Sequence, residues 1–276
     1  MDGKSPELPY KYGPSLVMRT KNGDQSIAHK AENTLQTSVT LNEELIELII
    51  LTTFAEVWLA KEGHNGNIFI NFMKKLELPM LYAMYGAMLA GVNGIVVGAG
   101  NPHGLSAISS ILSHHEEVTS DITILYREQG ESYVLHFDPR TVADGKLTHK
   151  PIERPVFLAI VSLENLVIAL VNDTSESPDG YIIEHHTAGG HNAPPQGPLI
   201  KDNLGQPIYS GLDEPNLDKI ESLDVPFWLA GGYGSKTGLE KALKAGANGI
   251  QTGSIFALTN ESTLTAAALS GIPPLF

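Results

Sequence analysis

From Leu45 onward, short apolar runs rich in β-branched residues alternate with stretches that suit helices. Ile46 to Phe54 (IELIILTTF) is almost wholly apolar and of strand length, which predicts a strand buried on both faces. Gly94 to Val97, Val156 to Val161, Gly180 to Ile183, Pro226 to Ala230 and Gly249 to Thr252 repeat the type. Helices are expected between them: Tyr85 to Gly91, Leu105 to His114, Ser162 to Asn172, and Leu239 to Ala245 with Gly246 as the terminating residue. Asp121 to Asp138 departs from the alternation. Two period-2 runs flank Gln129-Gly130, the pattern of a β-hairpin inserted at about residues 119–140.

Alternating strand and helix argues for an α/β protein with a parallel sheet and crossover helices. Six parallel-type strands are expected, whereas a closed (β/α)8 TIM barrel needs eight. Two architectures satisfy the pattern: an open, doubly wound six-stranded sheet, or a barrel incomplete at its N-terminus. Residues 1–43 are rich in Pro, Gly, Lys, Asn and Ser without a sustained period, and read as a polar extension preceding a domain over 44–276.

Composition narrows the chemistry. The 276 residues contain no cysteine, which excludes disulfides, thiolate metal sites and cysteine nucleophiles. A formal charge of −13 disfavours nucleic acid as a partner, because such binding rests on neutralising phosphates. No apolar run approaches the roughly 20 residues of a membrane span. The start, MDGKSPELPY, lacks a secretory apolar region, so a cytoplasmic location is expected.

Three strand-to-glycine junctions carry the candidate chemistry. Val225 to Gly238 (VPFWLAGGYGSKTG) runs from a strand into Gly231-Gly232 and then a helix, and Asn248 to Phe256 (NGIQTGSIF) runs from a strand into Gly253-Ser254. Turns without a Cβ let backbone N–H groups approach an anion, and consecutive turns of this kind build the phosphate site of many barrels. Tyr181 to Pro198 (YIIEHHTAGGHNAPPQGP) runs into Gly189-Gly190, from which His191 emerges. A histidine at the C-terminal mouth of a strand suits general acid–base work near neutrality. Because successive strand residues point to opposite faces, His185 and His186 are not expected on one ion, and no metal site is expected. His114-His115-Glu116-Glu117 reads as the solvated end of a helix, and Lys61 to Gly66 either as an ordinary loop or as part of a ligand mouth.

Taken together, AEVWLAKEGHNG at 55–66, YGAMLAGVNGIVVGAGNP at 85–102, TAGGHNAPPQGP at 187–198, PFWLAGGYGS at 226–235 and GIQTGSIF at 249–256 resemble the nitronate monooxygenase family, formerly the 2-nitropropane dioxygenases. The pairing of AGGH with AGG…QTGS is specific to that family and to its flavin enoyl-reductase cousins. The resemblance implies a TIM barrel that binds FMN. It assigns His191 as the catalytic residue and Gly231, Gly232, Gln251, Thr252, Gly253 and Ser254 to the phosphate and ribityl site. Glu184 and Gly189 match further flavin contacts, and Gly190 completes that turn. A third-strand contact, usually asparagine, falls here at Thr53. Family members open with an apolar strand and a Gly/Met turn, which residues 1–43 do not resemble; relatives also continue beyond the point where this chain ends, at SGIPPLF. The implied reaction is oxidation of alkyl nitronates by O2 to a carbonyl compound and nitrite. Two alternatives are a flavin-dependent enoyl-thioester reductase of fatty-acid or polyunsaturated-lipid synthesis, using NAD(P)H and an acyl thioester, and a truncated, non-catalytic relative. Uncovered sheet edges would call for a homo-oligomer or a partner chain.

Overall fold

The computed structural model describes residues 35–259 except 127 and 173–175, together with 261, 262 and 265. The elements run β1 (Leu35–Val39), α1 (Glu43–Ala60), β2 (Phe69–Met73), α2 (Glu77–Leu89), β3 (Gly94–Gly98), α3 (Leu105–Ser113), β4 (Val118–Ile122) and β5 (Glu131–Phe137). They continue with β6 (Val156–Val161), α4 (Glu164–Val171), β7 (Gly180–Glu184), α5 (Leu217–Glu221), β8 (Phe227–Ala230), α6 (Lys236–Lys244), β9 (Gly249–Gln251) and α7 (Ser254–Ala257). No helix among the described residues is long and apolar enough to cross a membrane.

Six strands form one parallel sheet in the order β2-β3-β6-β7-β8-β9. Each strand is added beside its predecessor, so the winding never reverses. A doubly wound sheet requires a reversal, and that alternative is therefore excluded. Among the described residues, the curled sheet with its helices supplies six of the eight strands of a (β/α)8 barrel. A second sheet, β1-β5-β4, pairs β4 with β5 antiparallel, as expected of the inserted hairpin, and adds β1 parallel to β5. The last residues of the segment expected as an extension are thus structured: Leu35–Val39 is a strand, with Val39 and Leu41 buried. Residues 1–34 and the SGIPPLF terminus lie outside the described residues.

The strand expected at Ile46 to Phe54 is the middle of the 18-residue helix α1. An apolar run alone does not separate a buried strand from a helix, and here the flanking residues decide. Asn42 caps the helix by accepting from Leu45 N at 2.8 Å, and Glu43 and Glu44 place negative charge at its positive end. The first sheet strand is instead Phe69–Met73, whose Asn71 interrupts the apolar pattern. The count of six parallel strands stands, with one member exchanged.

The helices cover the outer face of the sheet. One cluster joins residues of α1, α2 and α3 to Ile95, Val97 and Phe157, and another joins Val167, Ile220 and Ala242 to Tyr181, Ile183 and Leu229. The inner face carries its own small cluster of Val96, Leu158, Ile182 and Ala230. The hairpin packs on α2 through Phe137, whose ring meets Tyr82 and Tyr85 edge-on. His115, expected in solvent, is buried there: its Nδ1 lies 2.8 Å from the Tyr85 hydroxyl and its Nε2 2.6 Å from Lys150 O. Burial pushes the Tyr85 phenol up to about 12.

Three strand pairs are locked by one device. The residue just before a strand bonds the start of the preceding strand twice, through its own N–H and through its side chain. Asn93 N donates to Ile68 O while Asn93 Oδ1 accepts from Ile68 N, both at 2.9 Å. Asp179 does the same with Phe157 at 2.8 and 2.6 Å, and Asn248 with Phe227 at 2.7 and 3.0 Å. Lys61, at the same N-terminal end of the sheet, donates to Gly91 O at 2.5 Å. The Lys61 to Gly66 loop therefore lies at the end of the barrel opposite to a ligand mouth.

Helix α2 crosses α1 at Gly86, where an added Cβ would collide with the carbonyl oxygen of Ile50. In an exposed helix, Gly→Ala gains about 1 kcal/mol. At this crossing the sign reverses: Gly86→Ala is expected to cost roughly 1–3 kcal/mol, read as a lowered urea midpoint with an unchanged slope.

Candidate functional site

Strands β7, β8 and β9 end side by side. Glu184 pairs with Ala230, and Ala230 with Gln251, so these residues form a row at the C-terminal rim. Ala230 belongs to the inner-face cluster, and in-register neighbours share a face, which places Glu184 and Gln251 on the inner face as well. Glu184 is half-buried. Burial pushes its carboxyl up, and a weaker Coulombic effect of His191 opposes that shift.

Beyond Glu184 the chain turns. His185 N donates to Ala230 O at 2.9 Å, and Ala188 N closes the turn on His185 O at 2.9 Å. The turn after β8 nests beneath it. At Gly231, with φ +90°, a Cβ would lie 2.7 Å from His185 O and 3.0 Å from Ala188 N. Gly232, with φ +75°, lies next to Thr187, whose Oγ1 would be 3.3 Å from an added Cβ. Gly189 packs on the turn after β9, where its missing Cβ leaves room for Ser254 Oγ. The expected glycines therefore divide into two kinds. Gly189, Gly231 and Gly232 admit neighbouring parts of the chain, whereas a Cβ at Gly190 or Gly253 would meet nothing within 4 Å. Gly253 precedes α7 without a side-chain cap, followed by the exposed Ser254, and Gln251 and Thr252 are partly buried.

His191 is exposed at the rim. The following residues are tied back through Asn192 Nδ2, which donates to His186 O at 2.8 Å, and Tyr209 Oη, which donates to Ala193 O at 3.0 Å. Gln196 N donates to Asp213 Oδ1 at 2.6 Å. This bond and those from Ser210 hold the Asp213 carboxyl below the usual carboxylate range. Among the described residues, the buried Asn192 Oδ1 has no hydrogen-bond partner.

His185 and His186 come together. The strand stops at Glu184, so the alternation that would set them on opposite faces no longer applies. Their ring centroids are 4.0 Å apart, and both Nε2 atoms reach Glu214. Hydrogen bonds from His185 lead the effects that hold the Glu214 carboxyl low. Glu214 was not expected from the sequence. The only local signal is the capping box of Ser210 and Asp213, which ends a short turn directly before it. A cleft of about 390 Å3 opens here, lined by His185, Thr187, Glu214, Gly231, Gly232 and Tyr233 among others.

Thr53 does not reach the rim, because it lies within α1. The polar residue of the first sheet strand is Asn71, paired with the inner-face residue Val96.

No family model and no curated protein matches the chain. Among solved structures, a mutant of FabK from Thermotoga maritima is similar at 14% identity with a TM-score of 0.48. The match covers 82% of this chain and 62% of that one, so this chain spans less than two thirds of the FabK length.

The nesting of the turns is testable at one atom. Gly231→Ala places a Cβ against the His185 carbonyl at a positive φ, with an expected cost of about 1–3 kcal/mol. Denaturant unfolding measures that cost, and an unchanged midpoint would show that the turns can part freely.

Proposed function

We propose that the chain is an FMN-dependent oxidoreductase of the nitronate monooxygenase type, acting on small alkyl nitronates with O2. The observation that carries this reading is the convergence of Glu184, His191 and the three glycine turns on adjacent strand ends, with free space at Gly190 and Gly253.

The residues present fit the phosphate end of FMN. Gly253 leaves a Cβ-sized space open before an uncapped helix start, and Ser254 offers a hydroxyl beside it. Gly232, Thr252, Gly253 and Ser254 would hold the phosphate, while Gln251 and Glu184 would face the ribityl chain and ring from the inner rim. Asn71 takes the place of Thr53 as the inner-face polar contact. The orphaned Asn192 Oδ1 offers an acceptor next to His191. When bound, FMN supplies the electron transfer between substrate and dioxygen.

The chain's own residues handle charge and protons. His191 protonated stabilises the nitronate anion, and neutral it takes the α-carbon proton of a nitroalkane onto a ring nitrogen. Through its charge, the Glu184 carboxylate favours the imidazolium formed. The stack of turns fixes the start of the loop, so His191 is presented from a rigid base while its ring stays accessible.

Three measurements test this. Purified protein is expected to be yellow, with flavin absorbance between about 350 and 500 nm at near one equivalent; a colourless preparation that takes up no added FMN overturns the flavin reading. Because nothing lies near a Cβ at Gly253, Gly253→Val is expected to fold normally yet lose FMN; retained flavin would put the phosphate elsewhere. His191→Asn is expected to keep flavin and lower nitronate turnover by about 100-fold or more. Rapid anaerobic bleaching of the flavin by NADPH would instead identify an enoyl-thioester reductase.

A further inference from the structure

The proposed oxidation leaves one cluster at the rim unused. Among the described residues, His185, His186 and Glu214 form a group whose ligand atoms all lie within 4.8 Å of one another. We propose that His185 Nε2, His186 Nε2 and a Glu214 carboxylate oxygen bind one divalent first-row transition ion, Zn2+ foremost, with the remaining coordination position open to the neighbouring cleft.

The spacing suits such an ion. His185 Nε2 lies 2.9 and 3.0 Å from the two Glu214 oxygens, and His186 Nε2 lies 3.3 Å from Oε1. Bonds of about 2.0–2.2 Å in a tetrahedral site put neighbouring ligand atoms roughly 3.3 Å apart. Only a small outward movement of the rings and carboxylate is needed to admit the ion. Two imidazoles and one carboxylate favour Zn2+, Fe2+, Co2+ or Ni2+ over Mg2+ and Ca2+, which prefer all-oxygen shells.

The ligands are also supported from behind. His185 Nδ1 lies 2.8 Å from Thr187 Oγ1, the outer partner that fixes the orientation of a metal-bound imidazole. The ring of His186 is stacked on Tyr209 at 4.4 Å and 6°. Glu214 follows the Ser210–Asp213 capping box, which sets its backbone. Without an ion, a single carboxylate serves two rings. With the ion on Nε2, the neutral His185 ring carries its hydrogen on Nδ1, which faces Thr187 Oγ1. An ion held here fastens the turn after β7, five residues before His191, to the chain leading into α5. The open position faces the cleft that Gly231, Gly232 and Tyr233 also line.

Chelator-treated, untagged full-length protein titrated with ZnCl2 in a calorimeter tests the site directly, whether or not flavin is bound. Saturation at one equivalent with a Kd of about 10 μM or tighter is expected, with no comparable binding of MgCl2. Glu214→Gln and His186→Asn, each checked for folding by circular dichroism, should weaken Zn2+ binding by roughly 30-fold or more, and Thr187→Val by about 10-fold. Absence of saturable Zn2+ binding by the wild-type protein overturns the proposal. So does binding left unchanged in whichever of the two ligand variants folds. Loss of flavin or of turnover alone bears only on the oxidoreductase reading.

Discussion

The carbonyl of His185 and the left-handed turn at Gly231 occupy a space that no side chain could share, and the rim of the barrel depends on that contact. It sets the turn after β8 beneath the turn after β7 with the backbones touching. Gly189 and Ser254 repeat the arrangement one strand further along. Three loops that are remote in sequence therefore behave as one layered unit. Its outer positions, Gly190 and Gly253, stay free because the close-packed ones beneath them are filled by the chain itself.

That unit stands on strands whose other ends are locked. Asn93, Asp179 and Asn248 each close a reciprocal pair of hydrogen bonds with the start of the preceding strand, at the end away from the rim. Such bonds satisfy strand N–H groups that would otherwise be left unpaired at a buried junction. With register set there, parallel pairing carries it to the far end and places Glu184, Ala230 and Gln251 in one row. Helices cover the outer face, whereas on the inner face Phe69, Met73 and Val156 remain exposed. In a closed barrel this face is filled by side-chain layers.

Two chemistries meet at the rim without sharing side chains. Glu184 and His191 belong to the flavin reading, with Glu184 on the inner face of the row formed by β7, β8 and β9. His185, His186 and Glu214 form the cluster proposed to hold a metal ion, and His186 and Glu184 line one small pocket. The separation follows from the end of β7: Glu184 still obeys strand alternation and points inward, and the next two residues belong to a turn, free to face the same partner.

Much of this architecture was legible in the residues themselves. Five of the six parallel strands, the hairpin and the glycine turns follow from local rules, because strand burial and left-handed turns restrict which residues fit. Glu184, Gly231, Gly232, Gln251, Thr252, Gly253 and Ser254 lie at or within a few residues of strand ends, and Gly189, Gly190 and His191 follow in the turn after β7, so their positions were legible locally, whereas the roles proposed for them rest on the family resemblance. What local pattern missed has two causes. Ile46 to Phe54 is a helix because Asn42, Glu43 and Glu44 start one just before it, a local signal that the apolar run masked. The other misses are decided by contacts distant in sequence, since the β2 strand, interrupted by Asn71, pairs with β3, and His115 is buried between Tyr85 and Lys150 O. The pairing of His185 and His186 on Glu214 bridges almost thirty residues. Spacing along a chain dictates which way neighbouring side chains point while an element lasts, and only the folded arrangement decides where the element ends and what waits beyond it.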